Sequence, residues 1–134
     1  MQVDGGCHCG HINYEAEIDP EKVVICHCTD CQTMSGTAFR VSARVPDSDF
    51  HLLSGTPKTY IKIGASGRDR EQVFCPECGT HIYAAYPGSE PQDFSLRLGT
   101  IRQRAQLKPT RQIWHGSAQA WVNDLAHIPV VENP

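Results

Sequence analysis

The sequence predicts a turn-rich, β-dominated domain, and three observations carry that reading. Apolar residues make up 40% of 134 and charged residues 20%, a globular balance. Nine prolines and eleven glycines call for many turns. Several short segments alternate apolar and polar residues with the period of two that marks a strand with one buried face.

The first such segment runs from Ile12 to Ile18, where Ile12, Tyr14, Ala16 and Ile18 alternate with Asn13, Glu15 and Glu17. Asp19 and Pro20 end it, and Val23 to His27 is a second, β-branched run. From Thr29 to Met34 the chain suits a single helical turn, with Thr29 or Asp30 as its cap and Ser35-Gly36 as its stop. Phe39, Val41, Ala43 and Val45 then alternate with Arg40, Ser42 and Arg44, so this strand has a basic polar face.

Phe50 to Leu53, Thr59 to Ile63 and Gln72 to Phe74 are shorter strands, with Ala65 to Arg70 as a surface loop or hairpin tip. His81 to Tyr86 and Phe94 to Leu98 flank a turn from Pro87 to Pro91. The remainder from Thr110, with Trp114 and Trp121, is expected to return across the sheet as a final layer. Residues 1–134 fit one domain, long enough to bury a core and too short for two.

The net charge of −3 and the scattered basic residues give no continuous positive stripe, so nucleic acid is not an expected partner. No stretch approaches the length that spans a bilayer, and no basic segment followed by an apolar run opens the chain, so a cytoplasmic protein without membrane association is expected.

Seven cysteines are an odd number and fall in three tight clusters, which a complete disulfide framework cannot use. Cys7-His8-Cys9-Gly10 and Cys75-Pro76-Glu77-Cys78-Gly79 each place glycine directly after the second cysteine. A tight turn that points amides at a thiolate needs the backbone freedom of glycine. Together they supply four soft ligands, the set of a closed structural zinc, and would join distant parts of the chain; buried free thiols or a disulfide are the plainer alternative.

Cys26-His27-Cys28-Thr29-Asp30-Cys31 leaves three thiols and no fourth cysteine. Three protein ligands with an exchangeable position is the arrangement of a catalytic zinc. His27 is a candidate fourth ligand or proton acceptor, but it lies between Cys26 and Cys28, so if those two converge on one metal strand alternation directs its ring elsewhere, toward a structural hydrogen bond. Three thiolates leave the centre formally at −1, a poor Lewis acid toward water but suited to a soft fourth ligand such as a thiol. A redox-active or merely reduced thiol cluster remains the alternative.

At these residues the sequence resembles the glutathione-dependent formaldehyde-activating enzyme family, which includes centromere-protein-V-like members. The matching pattern comprises Gly6-Cys7-x-Cys9-Gly10 with Tyr14, then Cys26-His27-Cys28-x-x-Cys31-Gln32 with Gly36 and Phe39. It continues through Phe50, Ser54-Gly55, Tyr60, Phe74-Cys75-Pro76-x-Cys78-Gly79-Thr80, Gly99-Thr100, Lys108-Pro109 and Ile113-Trp114.

The resemblance implies a zinc-stapled β-sandwich of short antiparallel strands with little helix, a fold shared with a Rab-binding chaperone-like zinc protein. It implies a structural zinc on Cys7, Cys9, Cys75 and Cys78, and an active-site zinc on Cys26, Cys28 and Cys31; an open three-thiolate site is also expected to lose its metal more readily than a closed one. The implied activity is carbon–sulfur bond formation between a thiol, glutathione or similar, and a small aldehyde, giving S-hydroxymethylglutathione from formaldehyde. A non-catalytic zinc module for a protein partner and a thiol redox sensor are the competing functions.

The two carboxylates of glutathione direct attention to Arg40, Arg44, Arg68, Arg70, Arg97 and Arg111, although an arginine is by default a solvated surface charge. Trp114 and Trp121 are expected in the core, with a cleft wall as the alternative. Asp30 and Thr29 either orient a thiol or shape a local turn.

Overall fold

A computed structural model describes residues 1–88 and 90–134. Its strands are β1 (Gln2–Gly6), β2 (Asn13–Glu17), β3 (Val23–Cys26), β4 (Arg40–Pro46), β5 (Phe50–Ser54), β6 (Lys58–Ile63), β7 (Asp69–Phe74), β8 (His81–Ala85), β9 (Asp93–Arg97) and β10 (Arg111–Ile113). One α-helix, α1 (Thr29–Ser35), follows β3. The strands form a small sheet in the order β1-β2-β5 and a large one in the order β10-β3-β4-β9-β8-β7-β6. No helix among the described residues is long and apolar enough to cross a membrane.

The expected buried face of β2 holds: Ile12, Tyr14, Ala16 and Ile18 are all buried. They meet Val23, Ala43, Val45, Ile82 and Leu96 from the large sheet in one apolar cluster. Phe50 of β5 sets its ring edge against Tyr83 and Phe94, which stack on each other at 4.2 Å. The two sheets are therefore layers over a shared core, and the small sheet covers one face of the large one.

Several expectations need correction. The pairs are antiparallel except β10 on β3, which is parallel and requires the long return of the chain from β9. The segment from Thr110 does not form a layer: Arg111–Ile113 extends the sheet edge, while Trp114 and Trp121 are 59% and 52% exposed rather than core. Strand β7 begins at Asp69, so the hairpin tip is Gly64 to Arg68 and Arg70 lies within the sheet. Helix α1 is longer than one turn and is capped by Cys28, not by Thr29 or Asp30. Strand β1 was not expected at all; Val3 buries between Gln2 and Asp4. The turn expected from Pro87 to Pro91 includes Ser89, which lies outside the described residues.

The uncovered face of the large sheet follows from register. Paired residues on neighbouring strands share a face. Cys26 pairs with Arg40, Ser42 with Val24 and Arg97, Ser95 with Arg44 and Ala84, and Ala84 with Gln72. These side chains floor a cleft of about 970 Å³. The basic polar face expected of β4 is thus the floor of a concavity.

Candidate metal centres and their cleft

Cys7 leaves the end of β1 and Cys75 the end of β7, and tight turns carry each chain to its second cysteine. Gly10 and Gly79 close those turns at φ +84° and +77°, in the left-handed region that glycine adopts without strain. The four sulfurs of Cys7, Cys9, Cys75 and Cys78 lie within 4.8 Å of one another. Cys9 Sγ is 3.6 Å from Cys7 Sγ and 3.8 Å from Cys75 Sγ, far beyond a disulfide bond. A tetrahedral ion with sulfur bonds of about 2.3 Å has sulfur–sulfur edges of about 3.8 Å.

The turns also aim donors at these sulfurs. The Ile12 amide donates to Cys7 Sγ at 3.1 Å. The Thr80 hydroxyl, aided by the Thr80 and Cys9 amides, holds the Cys78 thiol down at about 5. The His11 amide favours the Cys9 thiolate, but desolvation and the crowding thiols outweigh it and push Cys9 up to about 12. Cys7 and Cys78 are thus lowered while Cys9 is raised, the uneven titration of thiols crowded against one another, which a cation would relieve.

The second cluster is built over six residues at the junction of β3 and α1. Cys26 is the last residue of β3. Cys28 is extended (φ −60°, ψ 153°) and caps α1, its Sγ accepting from the Cys31 amide at 3.3 Å. The first helical turn then returns Cys31 to the other two, and the three sulfurs lie within 4.8 Å of one another. A hydrogen bond from Cys31 lowers the Cys26 thiol, while Cys31 is raised by that same bond and by burial. Among the described residues no fourth cysteine, histidine or carboxylate joins this group. All three line the cleft.

His27 points to the opposite side, as alternation requires. It is 1% exposed, Nε2 meets Gln112 Oε1 at 2.7 Å, and its ring stands edge-on to Phe39 and His115. Gln32 fastens α1 in place by donating from Nε2 to the carbonyls of His27 and Ser117 at 2.8 and 3.0 Å. Asp30 accepts an ion pair from Lys62 Nζ at 2.7 Å, tying α1 to β6 beside the cleft. Thr29 lines the cleft without a side-chain role that the geometry singles out.

Of the six arginines singled out in the sequence, five line the cleft; Arg68 instead stacks over Tyr86 at 4.3 Å. Arg44 pairs with Asp93 at 3.0 Å, and Arg111 is exposed. Arg40 and Arg97 are not the solvated charges that arginines usually are, being 8% and 9% exposed. Both donate to the same neutral oxygen, Gln72 Oε1, from Arg40 Nη1 at 3.3 Å and from Arg97 Nη2 at 2.9 Å. Two cations about 6 Å apart repel by about 3 kcal/mol at an effective dielectric of about 20. Burial, then Arg40, pulls Arg97 down to about 9. Sequence reasoning missed Gln72, Ser95 and Lys62, whose roles depend on the register of β6, β7 and β9.

Comparison with known proteins agrees with this architecture. Over 91 residues the chain is 31% identical to a Schizosaccharomyces pombe protein named an uncharacterized lyase; the aligned part covers 63% of this chain and 58% of that protein. A crystal structure of a Rhodobacter sphaeroides protein superposes with a TM-score of 0.61 at 18% identity, covering 81% of this chain and 98% of that one, a likeness of fold alone. The profile of the family described as glutathione-dependent formaldehyde-activating enzyme matches residues 2–117, and the chain belongs to that family.

Proposed function

We propose that the chain is a zinc-dependent carbon–sulfur lyase or synthase that adds a thiol, glutathione or a similar one, to a small aldehyde. The observation that carries this reading is the contrast between the two cysteine groups. One has four sulfurs, the full set of a closed structural site; the other has three, and it faces a large cleft. An interaction scaffold needs only the first.

The donor sets suit zinc because all seven are soft thiols and the sulfurs of each group lie within 4.8 Å of one another. When bound by Cys26, Cys28 and Cys31, zinc would favour the thiolate of an incoming thiol and so supply a nucleophilic sulfur at neutral pH. The reaction adds S–H across C=O: a sulfur–carbon bond forms, the π pair moves to oxygen, and the thiol proton is delivered to that oxygen. In this account the protein orients the reactants. Cys28, as helix cap, fixes the geometry of the triplet, and the polar floor beyond Cys26 receives the rest of the thiol substrate. Ile113 and Trp114 give the cleft an apolar border next to Cys26. The aldehyde, small and neutral, needs no dedicated charged subsite.

Native mass spectrometry of freshly prepared protein tests the assignment. Two zinc ions per chain are expected, falling to one when Cys26, Cys28 and Cys31 are all replaced by serine. A single zinc that survives this replacement in full, with no second ion in the parent protein, contradicts an active-site zinc.

A further inference from the structure

The cleft floor carries three cations without anionic partners. Arg97 Nη1 donates to Ser42 Oγ at 2.9 Å and its Nη2 to Gln72 Oε1. Arg40 donates to that same Gln72 oxygen and, from Nη2, to His81 Nδ1 at 3.5 Å. Arg70 donates to Ser95 Oγ at 2.9 Å and lies over the Tyr86 ring at 4.0 Å. Every one of these partners is neutral. Among the described residues none of the three arginines has a carboxylate within ion-pair distance, although other cations of the same chain, Arg44, Lys62 and Lys22, do. Arg97 Nε is buried and has no partner at all.

Burying charges without counter-ions is costly, and proteins avoid it unless a ligand supplies the missing charge. The cysteine triplet beside the floor, at net −1 with a bound dication, offsets one of the three guanidinium charges and leaves two unbalanced, while Asp30 at the cleft edge is already paired with Lys62. Cys26 pairs directly with Arg40, and Arg97 lies on the next strand, two residues along the ladder. An anion on Arg97 and Arg40 would therefore sit roughly 10 Å or less from the sulfurs, two strand spacings away.

We propose that Arg97, Arg40 and Arg70 form a carboxylate-binding subsite in the cleft floor, so that the thiol substrate is an organic acid whose carboxylate docks there while its sulfur reaches Cys26, Cys28 and Cys31. Planar guanidinium groups match a planar carboxylate, with Arg40 and Arg97 on the adjacent strands β4 and β9 and Arg70 on β7, one strand beyond β8. Gln72 is a positioning residue: its single carbonyl oxygen holds both guanidinium groups toward one point. The identity of the substrate as a thiol rests on the function proposed above; the anion subsite does not.

Calorimetry on the metal-replete protein separates the two. The probes are 3-mercaptopropionate, 2-mercaptoethanol, propionate and inorganic phosphate, with the parent protein, Arg97→Gln, Arg97→Lys and Arg70→Gln. The parent should bind 3-mercaptopropionate about tenfold or more tighter than 2-mercaptoethanol, the gain expected of one charge-assisted pair. Arg97→Gln should erase that preference and leave 2-mercaptoethanol unchanged, Arg97→Lys should restore part of it, and Arg70→Gln should weaken only the acid. Unchanged binding of 2-mercaptoethanol also shows that the variants fold.

If propionate and 3-mercaptopropionate bind alike and both depend on Arg97, the carboxylate subsite stands and the thiol reading fails. Equal binding of the two thiols to the parent protein overturns the subsite. So does equal weakening of both thiols by Arg97→Gln and Arg70→Gln, or more effective displacement of the acid by phosphate than by propionate at equal concentration.

Discussion

Replacing one cysteine from each group should separate their proposed roles by stability. In the four-sulfur group Cys9 and Cys75 are 66 residues apart, so an ion there closes about half of the 134-residue chain into a loop. Treated as a cross-link, a loop of that length restricts the unfolded chain by about 4 kcal/mol, against about 2 kcal/mol for the six residues from Cys26 to Cys31. Cys78→Ser should therefore lower stability by up to about 4 kcal/mol and Cys28→Ser by about 2 kcal/mol or less. For a chain of this size the difference is roughly 6–10 °C in melting temperature. Thermal and urea unfolding of the two variants, prepared with equal zinc supply, gives both numbers. Equal losses would refute the division into a structural and an open site, and a larger loss for Cys28→Ser would reverse it.

Other consequences are as direct. A Cβ on Gly5 would lie 2.2 Å from the Thr100 carbonyl oxygen and 2.4 Å from the Tyr14 hydroxyl, so Gly5→Ala should cost about 1–3 kcal/mol in urea unfolding. Arg97→Met removes a buried charge with no anionic partner and should stabilise the ligand-free protein by about 1–3 kcal/mol by the same assay, even as acid binding is lost. Desolvation, then Arg40 and Arg97, lowers the pKa of His81, so the unfolded chain takes up that proton first as pH falls. Its contribution to stability is present above pH about 6.5 and is lost below it, and His81→Gln should flatten the stability profile between about pH 6.5 and 5.

Much of this was legible in the sequence because it is local. The period of two from Ile12 to Ile18 and from Phe39 to Val45 depends only on which face of a strand is buried, and the core uses the apolar face in both. Cysteine spacing is local as well: Cys26 to Cys31 fit one strand end and one helical turn, and Gly10 and Gly79 mark the two knuckles. What failed was long-range. Strand β10 pairs in parallel with β3 across more than 80 residues, and three residues from Arg111 carry too little pattern to announce that. The burial of Arg40 and Arg97 depends on which strands become neighbours, whereas composition alone assigns arginine to solvent. The helix cap on Cys28 escaped notice because the usual caps are hydroxyl, amide and carboxylate side chains, and Thr29 and Asp30 stood next to it. Trp114 adopts φ 54°, a conformation unusual for a bulky residue, and no sequence pattern signals that it turns out beside the cleft.

The open metal site proposed on Cys26, Cys28 and Cys31 should take up a thiol as its thiolate. Glutathione and S-methylglutathione share both carboxylates and differ in the ionisable sulfur, so the comparison holds the pull of the arginine floor constant. Titration calorimetry in buffers of different ionisation enthalpy reports any proton released on binding. Glutathione should bind tighter than its S-methyl form and release a proton, and Cys28→Ser should lose both the preference and the proton. Equal binding of the two ligands without proton release would contradict thiol capture at this site.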